Sequence, residues 1–160
     1  MDKKKVYIET SVISYLTARP SHDAIKLGQQ LVTRDWWESD ASRFELFVSP
    51  LVEQEASRGD EEAAAKRLNA ISMIPQLKIT EAIVVLAELL LDETAVPRSS
   101  FDDAVHIATA AVYGVDFLLS WNCRHIANPE TKPIIRRVLV SHGYKYPEIC
   151  TPHELKGAME

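Results

Sequence analysis

The chain has 160 residues, 46% of them hydrophobic and 26% charged, and carries a net charge of −5. This length suits one domain with its own core, and the composition excludes a disordered or low-complexity chain. The acidic balance excludes nucleic-acid binding through a broad basic surface and leaves room only for local, cation-assisted contact.

Lys3-Lys4-Lys5 is followed by only Val6, Tyr7 and Ile8 before Glu9, so no signal peptide is expected. No run approaches the roughly 18 apolar residues of a membrane span. Cys123 and Cys150 form no Cys-x-x-Cys pattern and read as reduced thiols. A cytoplasmic protein without membrane contact is the expectation.

In chain order, Val6-Tyr7-Ile8 fits a buried strand, and Thr10 or Ser11 can cap the helix marked by Val12, Ile13, Tyr15 and Leu16. Glu9 then stands where the strand ends. Residues 19–23 break the chain, and a second helix runs from Ala24 to Trp36-Trp37. Residues 44–48 form a strand, followed by Ser49 as N-cap and Pro50 at the first position of a helix that carries Leu51, Val52, Glu55 and Ala56 and stops at Gly59. Asp60 caps a helix through Ala64, Leu68 and Ile71. Residues 77–79 are a short strand, and Thr80 starts an apolar-rich helix that reaches about Leu91.

A connector at 96–100 leads to a helix over about 101–113, which Gly114 ends. A strand at 115–120, a loop at 121–128, a helix at 132–142 and a last strand at 147–150 complete the chain. Strands alternating with helices imply a parallel sheet covered on both faces. One α/β domain over residues 1–160 is expected, with no internal repeat and no linker.

Four residues group by placement. Glu9 follows the first strand. Glu55 lies four after Leu51 and three after Val52, on the inward face of its helix. Asp103 opens the helix that feeds the next strand, four before Ile107; Asp102 faces a wetter side with His106. Asn122 follows the strand at 115–120. Each has a local explanation: a strand-end charge for Glu9, a boundary glutamate for Glu55, a Ser100-x-x-Asp103 capping box and a turn asparagine. Ligands of open α/β sheets bind outside the carboxyl ends of the strands, where all four would converge. Carboxylates packed together need a cation or shared protons, and Mg2+ or Mn2+ suits oxygen ligands and phosphodiester displacement. His106 and His125 lack zinc-like partners, and His106 reads as structural.

These motifs resemble the PIN domain family, in particular its VapC-like toxin branch. The resemblance is carried by Tyr7-Ile8-Glu9-Thr10-Ser11-Val12, by Ser49-Pro50 with Glu55, by the block from Asp102 to Ala110, and by Leu118-Leu119-Ser120-Trp121-Asn122. It implies a three-layer fold with a central parallel sheet of about five strands flanked by helices. It also implies a Mg2+- or Mn2+-dependent ribonuclease acting on single-stranded RNA, often a homodimer, inhibited by a small antitoxin protein. The family's first three acids match Glu9, Glu55 and Asp103, the metal ligands, and its fourth aspartate matches Asn122, the remaining catalytic position. Glu9 is one methylene longer than the usual aspartate, and Asn122 lacks a charge. Thr10, Ser11 or Ser120 would orient a water, and Arg98 and Arg124 are candidate phosphate contacts or plain surface charges. The alternative is a catalytically weakened binding module acting through a protein partner, with Trp36, Trp37 and the helix at 81–91 as its surface if they are not simply core. A phosphoacceptor domain fits poorly, because the first strand ends in glutamate and no lysine follows a last strand in register.

Overall fold

The computed structural model describes residues 2–157. Four parallel strands form one sheet in the order β2-β1-β3-β4, namely β1 Lys4–Ile8, β2 Phe44–Phe47, β3 Phe117–Leu119 and β4 Glu148–Cys150. Val6, Tyr7 and Ile8 are all fully buried although their side chains alternate between faces, so the central strand is covered on both sides. The helices are α1 Thr10–Thr17, α2 Ala24–Ser39, α3 Pro50–Ala56, α4 Glu61–Ile71, α5 Glu81–Asp92, α6 Phe101–Val112 and α7 Lys132–Ser141. α1 packs on α2 and α4, and α5 packs on α6.

Local chemistry sets most helix starts. Asp23, Ser49, Asp60 and Thr80 each accept a backbone N–H of the first turn, and Pro50 opens α3. Gly114 takes the left-handed conformation just past α6 (φ +63°). Trp36 is core: it is fully buried, stacks on Phe44 with ring centroids 5.9 Å apart, and donates Nε1–H to the Leu155 carbonyl at 2.9 Å. α5 likewise buries Ile83, Leu86, Ala87, Leu90 and Leu91, and leaves Val84 and Val85 outside.

Three expectations are corrected. The sheet has four strands rather than about five, because residues 77–79 do not form one. Val48 N–H donates to Pro75 O and Leu77 N–H to Val48 O, and the pairing ends at this single bridge between Val48 and Gln76. The partner backbone runs out there, since Ser49 already caps α3. The cap of α1 is Glu9, not Thr10 or Ser11. Ser100 makes no side-chain cap bond, so the expected capping box at α6 is not built. Among the described residues, no helix is long and apolar enough to cross a membrane.

Candidate metal centre

β1 lies between β2 and β3, so the strand order reverses between β1 and β3. Side chains just past the carboxyl ends of these two strands share the crevice that open sheets use for ligands. Glu9 directly follows β1, and its N–H donates to Leu119 O of β3 at 3.0 Å. Its carboxylate accepts from Ser11 N–H at 3.0 Å, from the Ser11 hydroxyl, and from the Ser120 hydroxyl at 2.6 Å. Only 6% of Glu9 is exposed, and among the described residues no lysine or arginine pairs with it.

Glu55 arrives from α3, after β2. Its Oε1 accepts from the Thr10 hydroxyl at 2.7 Å and from His106 Nε2 at 2.6 Å. His106 projects from α6 and is fully buried rather than on the wet flank that sequence spacing gives it. Its Nδ1 meets the Tyr7 hydroxyl at 2.7 Å, which meets the Ser49 hydroxyl at 2.8 Å. A chain of hydrogen bonds therefore runs from Ser49 through Tyr7 and His106 to Glu55 and Thr10.

Burial opposes charge on both partners, and their mutual contact opposes burial. Burial would push the His106 imidazole down, but the Glu55 hydrogen bond and the charges of Glu9, Glu55 and Asp103 raise it above its ordinary value. Burial would push the Glu55 carboxyl up, but His106 and the Thr10 hydroxyl hold it below its ordinary value. With the imidazole protonated, both of its nitrogens donate, one to Glu55 and the other to the Tyr7 oxygen, which leaves the Tyr7 O–H to donate to Ser49. Tyr7 itself is raised far above the ordinary phenol by burial.

One oxygen each of Glu9 and Glu55 and one nitrogen of His106 lie within 4.8 Å of one another. Asp103 and Asn122 are outside that group. Asp103 accepts from His125 Nδ1 at 2.8 Å and reaches the centre only through its charge on His106. The Asn122 side-chain oxygen accepts from the N–H groups of Arg124 (3.2 Å) and His125 (3.0 Å), the bonds of a turn asparagine. The turn thus carries the Asp103 partner, His125. Arg98 forms an exposed ion pair with Asp92, and Arg124 is exposed.

The donor set fits a hard divalent cation. Two carboxylates converge at a poorly exposed place, oriented by three hydroxyls, with the His106 imidazole on Glu55. Mg2+ uses one or two carboxylates with several waters, and Mn2+ suits the same oxygen ligands.

The convergence of Glu9 and Glu55 is legible in sequence; the part played by His106 is missed. Its signal is the three-residue spacing from Asp103, which places both on one side of α6. Tyr7 and His125 are also missed. Tyr7 looks like strand filler, and His125 acquires its partner only through the turn. Thr10, Ser11 and Ser120, expected to orient a water, donate to the carboxylates themselves.

No curated protein matches the chain. Among solved structures, a chain of the crystal structure of VapBC2 from Rickettsia felis bound to a DNA fragment from their promoter is similar, with a TM-score of 0.56 at 11% sequence identity. The match covers 92% of this chain and 98% of that one, a likeness of fold. The PIN domain family model matches residues 6–124, which span every strand but the last and the whole carboxylate centre. The chain belongs to the PIN domain family.

Proposed function

We propose that this PIN domain, residues 1–160 as one unit, is a Mg2+- or Mn2+-dependent endoribonuclease that hydrolyses phosphodiesters of single-stranded RNA. Its setting is a cytoplasmic toxin–antitoxin pair, with a small antitoxin protein and a second copy of the chain as partners. The observation that carries the reading is the meeting of Glu9, at the end of β1, with Glu55, from α3 after β2, with no lysine or arginine paired to Glu9 among the described residues. Family membership supports nuclease chemistry, and the fold likeness to a chain of VapBC2 supports the toxin setting.

Glu9 and Glu55 would hold the cation, with Asp103 as the third carboxylate of the site. When bound, the cation supplies an acidified water and neutralises charge on the phosphodiester. Ser11 and Ser120 fix both oxygens of Glu9, and Thr10 fixes Glu55. His106 holds the Glu55 carboxyl below its ordinary value against the upward pull of burial. Asn122 acts through the turn, holding His125 against Asp103.

One observation favours the second reading, a catalytically weakened binding module. The Asn122 oxygen is committed to two backbone N–H groups, so it does not replace the charge that an aspartate would bring. Calorimetric titration of Mn2+ separates the two. Saturable binding that is lost in Glu9→Gln and Glu55→Gln, together with cleavage of an RNA pool that stops on adding EDTA, is the expected result. No saturable binding in the unmodified chain overturns the nuclease reading.

A further inference from the structure

One aromatic group beside the carboxylates has no part in holding them. The Trp121 backbone N–H donates to the Ser11 hydroxyl at 2.8 Å, the hydroxyl that itself donates to Glu9. Its indole N–H donates to the Thr33 hydroxyl at 2.7 Å, so both the backbone and the ring are pinned. The ring stacks on Tyr15 with centroids 5.8 Å apart and planes 15° from parallel, and Lys26 Nζ lies 5.7 Å from the Tyr15 centroid. Neither Trp121 nor Tyr15 is buried. Trp121 also lines a groove of about 370 Å³ together with Ile25, Gly28 and Val32 of α2 and with His153 and Glu154. Ile25 is 76% exposed, and a Cβ built on Gly28 would meet nothing within 4 Å, so the groove is open to a flat guest.

We propose that this groove takes one unpaired nucleobase of the RNA substrate, stacked against Trp121, and so sets where the chain lies across Glu9 and Glu55. The assignment rests on the ribonuclease reading above. A rigid aromatic wall is what base stacking needs, because every base offers a π-face and no ordering is required of the ring. Lys26, next to Ile25 in sequence and over the Tyr15 ring, supplies the cation for a flanking phosphate, a local contact that suits a chain of net charge −5. The one acid of the lining, Glu154, has a carboxylate oxygen engaged by the Thr151 N–H at 3.0 Å. A single serine hydroxyl links the Trp121 backbone to Glu9, so the aromatic wall is anchored to the carboxylate centre.

The test measures the anisotropy of a fluorescein-labelled, mixed-sequence single-stranded RNA dodecamer in EDTA, where binding proceeds without cleavage. Trp121→Leu removes the wall. Gly28→Glu fills the groove from a helix position with open space around it, which guards against a folding artefact in the first variant. Both are expected to weaken RNA binding about tenfold, the order of one lost base stack, while Mn2+ titrations match the unmodified chain. Intact Mn2+ binding with RNA affinity unchanged in both variants overturns the stacking site alone and leaves the groove to an apolar peptide. Loss of Mn2+ binding in the unmodified chain overturns the reading on which it rests.

Discussion

Removing one oxygen from the buried chain between Ser49 and Glu55 is the sharpest probe of the centre. Tyr7→Phe keeps the ring, which is fully buried, and deletes a hydroxyl that bonds His106 Nδ1 at 2.7 Å and Ser49 at 2.8 Å. Each lost bond is worth about 1 kcal/mol, and a bond to a charged group about 1.5–3 kcal/mol. With His106 protonated, its Nδ1–H is left without an acceptor in a dry site, so the expected loss is about 2–4 kcal/mol. Urea unfolding read by circular dichroism measures it, and thermal melts should fall by about 2–4 °C for each kcal/mol in a chain of this size. Tyr113→Phe is the control, since that exposed hydroxyl donates only to the Lys78 carbonyl. A loss in Tyr7→Phe below about 0.5 kcal/mol, the range of ordinary surface changes, would refute the buried chain and with it the account of a charged His106.

The His106–Glu55 pair should shape stability from both sides of neutrality. Glu55 is held below its ordinary value, so its contribution is present above the unfolded carboxylate pKa and is lost as pH falls through the folded one. His106 is held above its ordinary value, so its contribution is full below the unfolded imidazole pKa and fades as pH rises through the folded one. Urea midpoints across pH should flatten on both flanks in His106→Gln; an unchanged profile would remove the pair as their cause. Asn122→Ala should cost about 1 kcal/mol through the lost turn bonds but leave Mn2+ affinity near that of the unmodified chain; abolished Mn2+ binding would make Asn122 a ligand after all. Gly28→Ala, inside α2 with open space around it, should raise stability by about 0.5–1 kcal/mol, and a lower melting temperature would contradict that.

The alternation of apolar runs with capped helices was enough to specify a parallel α/β sheet, because strand burial and cap chemistry are local properties. Asp23, Ser49, Asp60 and Thr80 cap helices that their own sequence neighbourhoods mark out. Glu9 and Glu55 were legible as a pair for the same reason, since each sits at a fixed offset from a readable strand. What only the tertiary structure decided is which groups those carboxylates meet. Residues 77–79 have the composition of a strand, but a strand needs a partner, and β2 offers none beyond Val48. His106 reads as a flank residue from periodicity, yet it is buried because Tyr7 from β1 and Glu55 from α3 close over its two nitrogens. Asp103 reads as a cap, yet it turns to His125, which lies 22 residues away and is presented by the Asn122 turn. In each case the deciding contact joins segments far apart in the chain. Hydrogen-bond partners and burial are set by the sheet order, which no local pattern encodes.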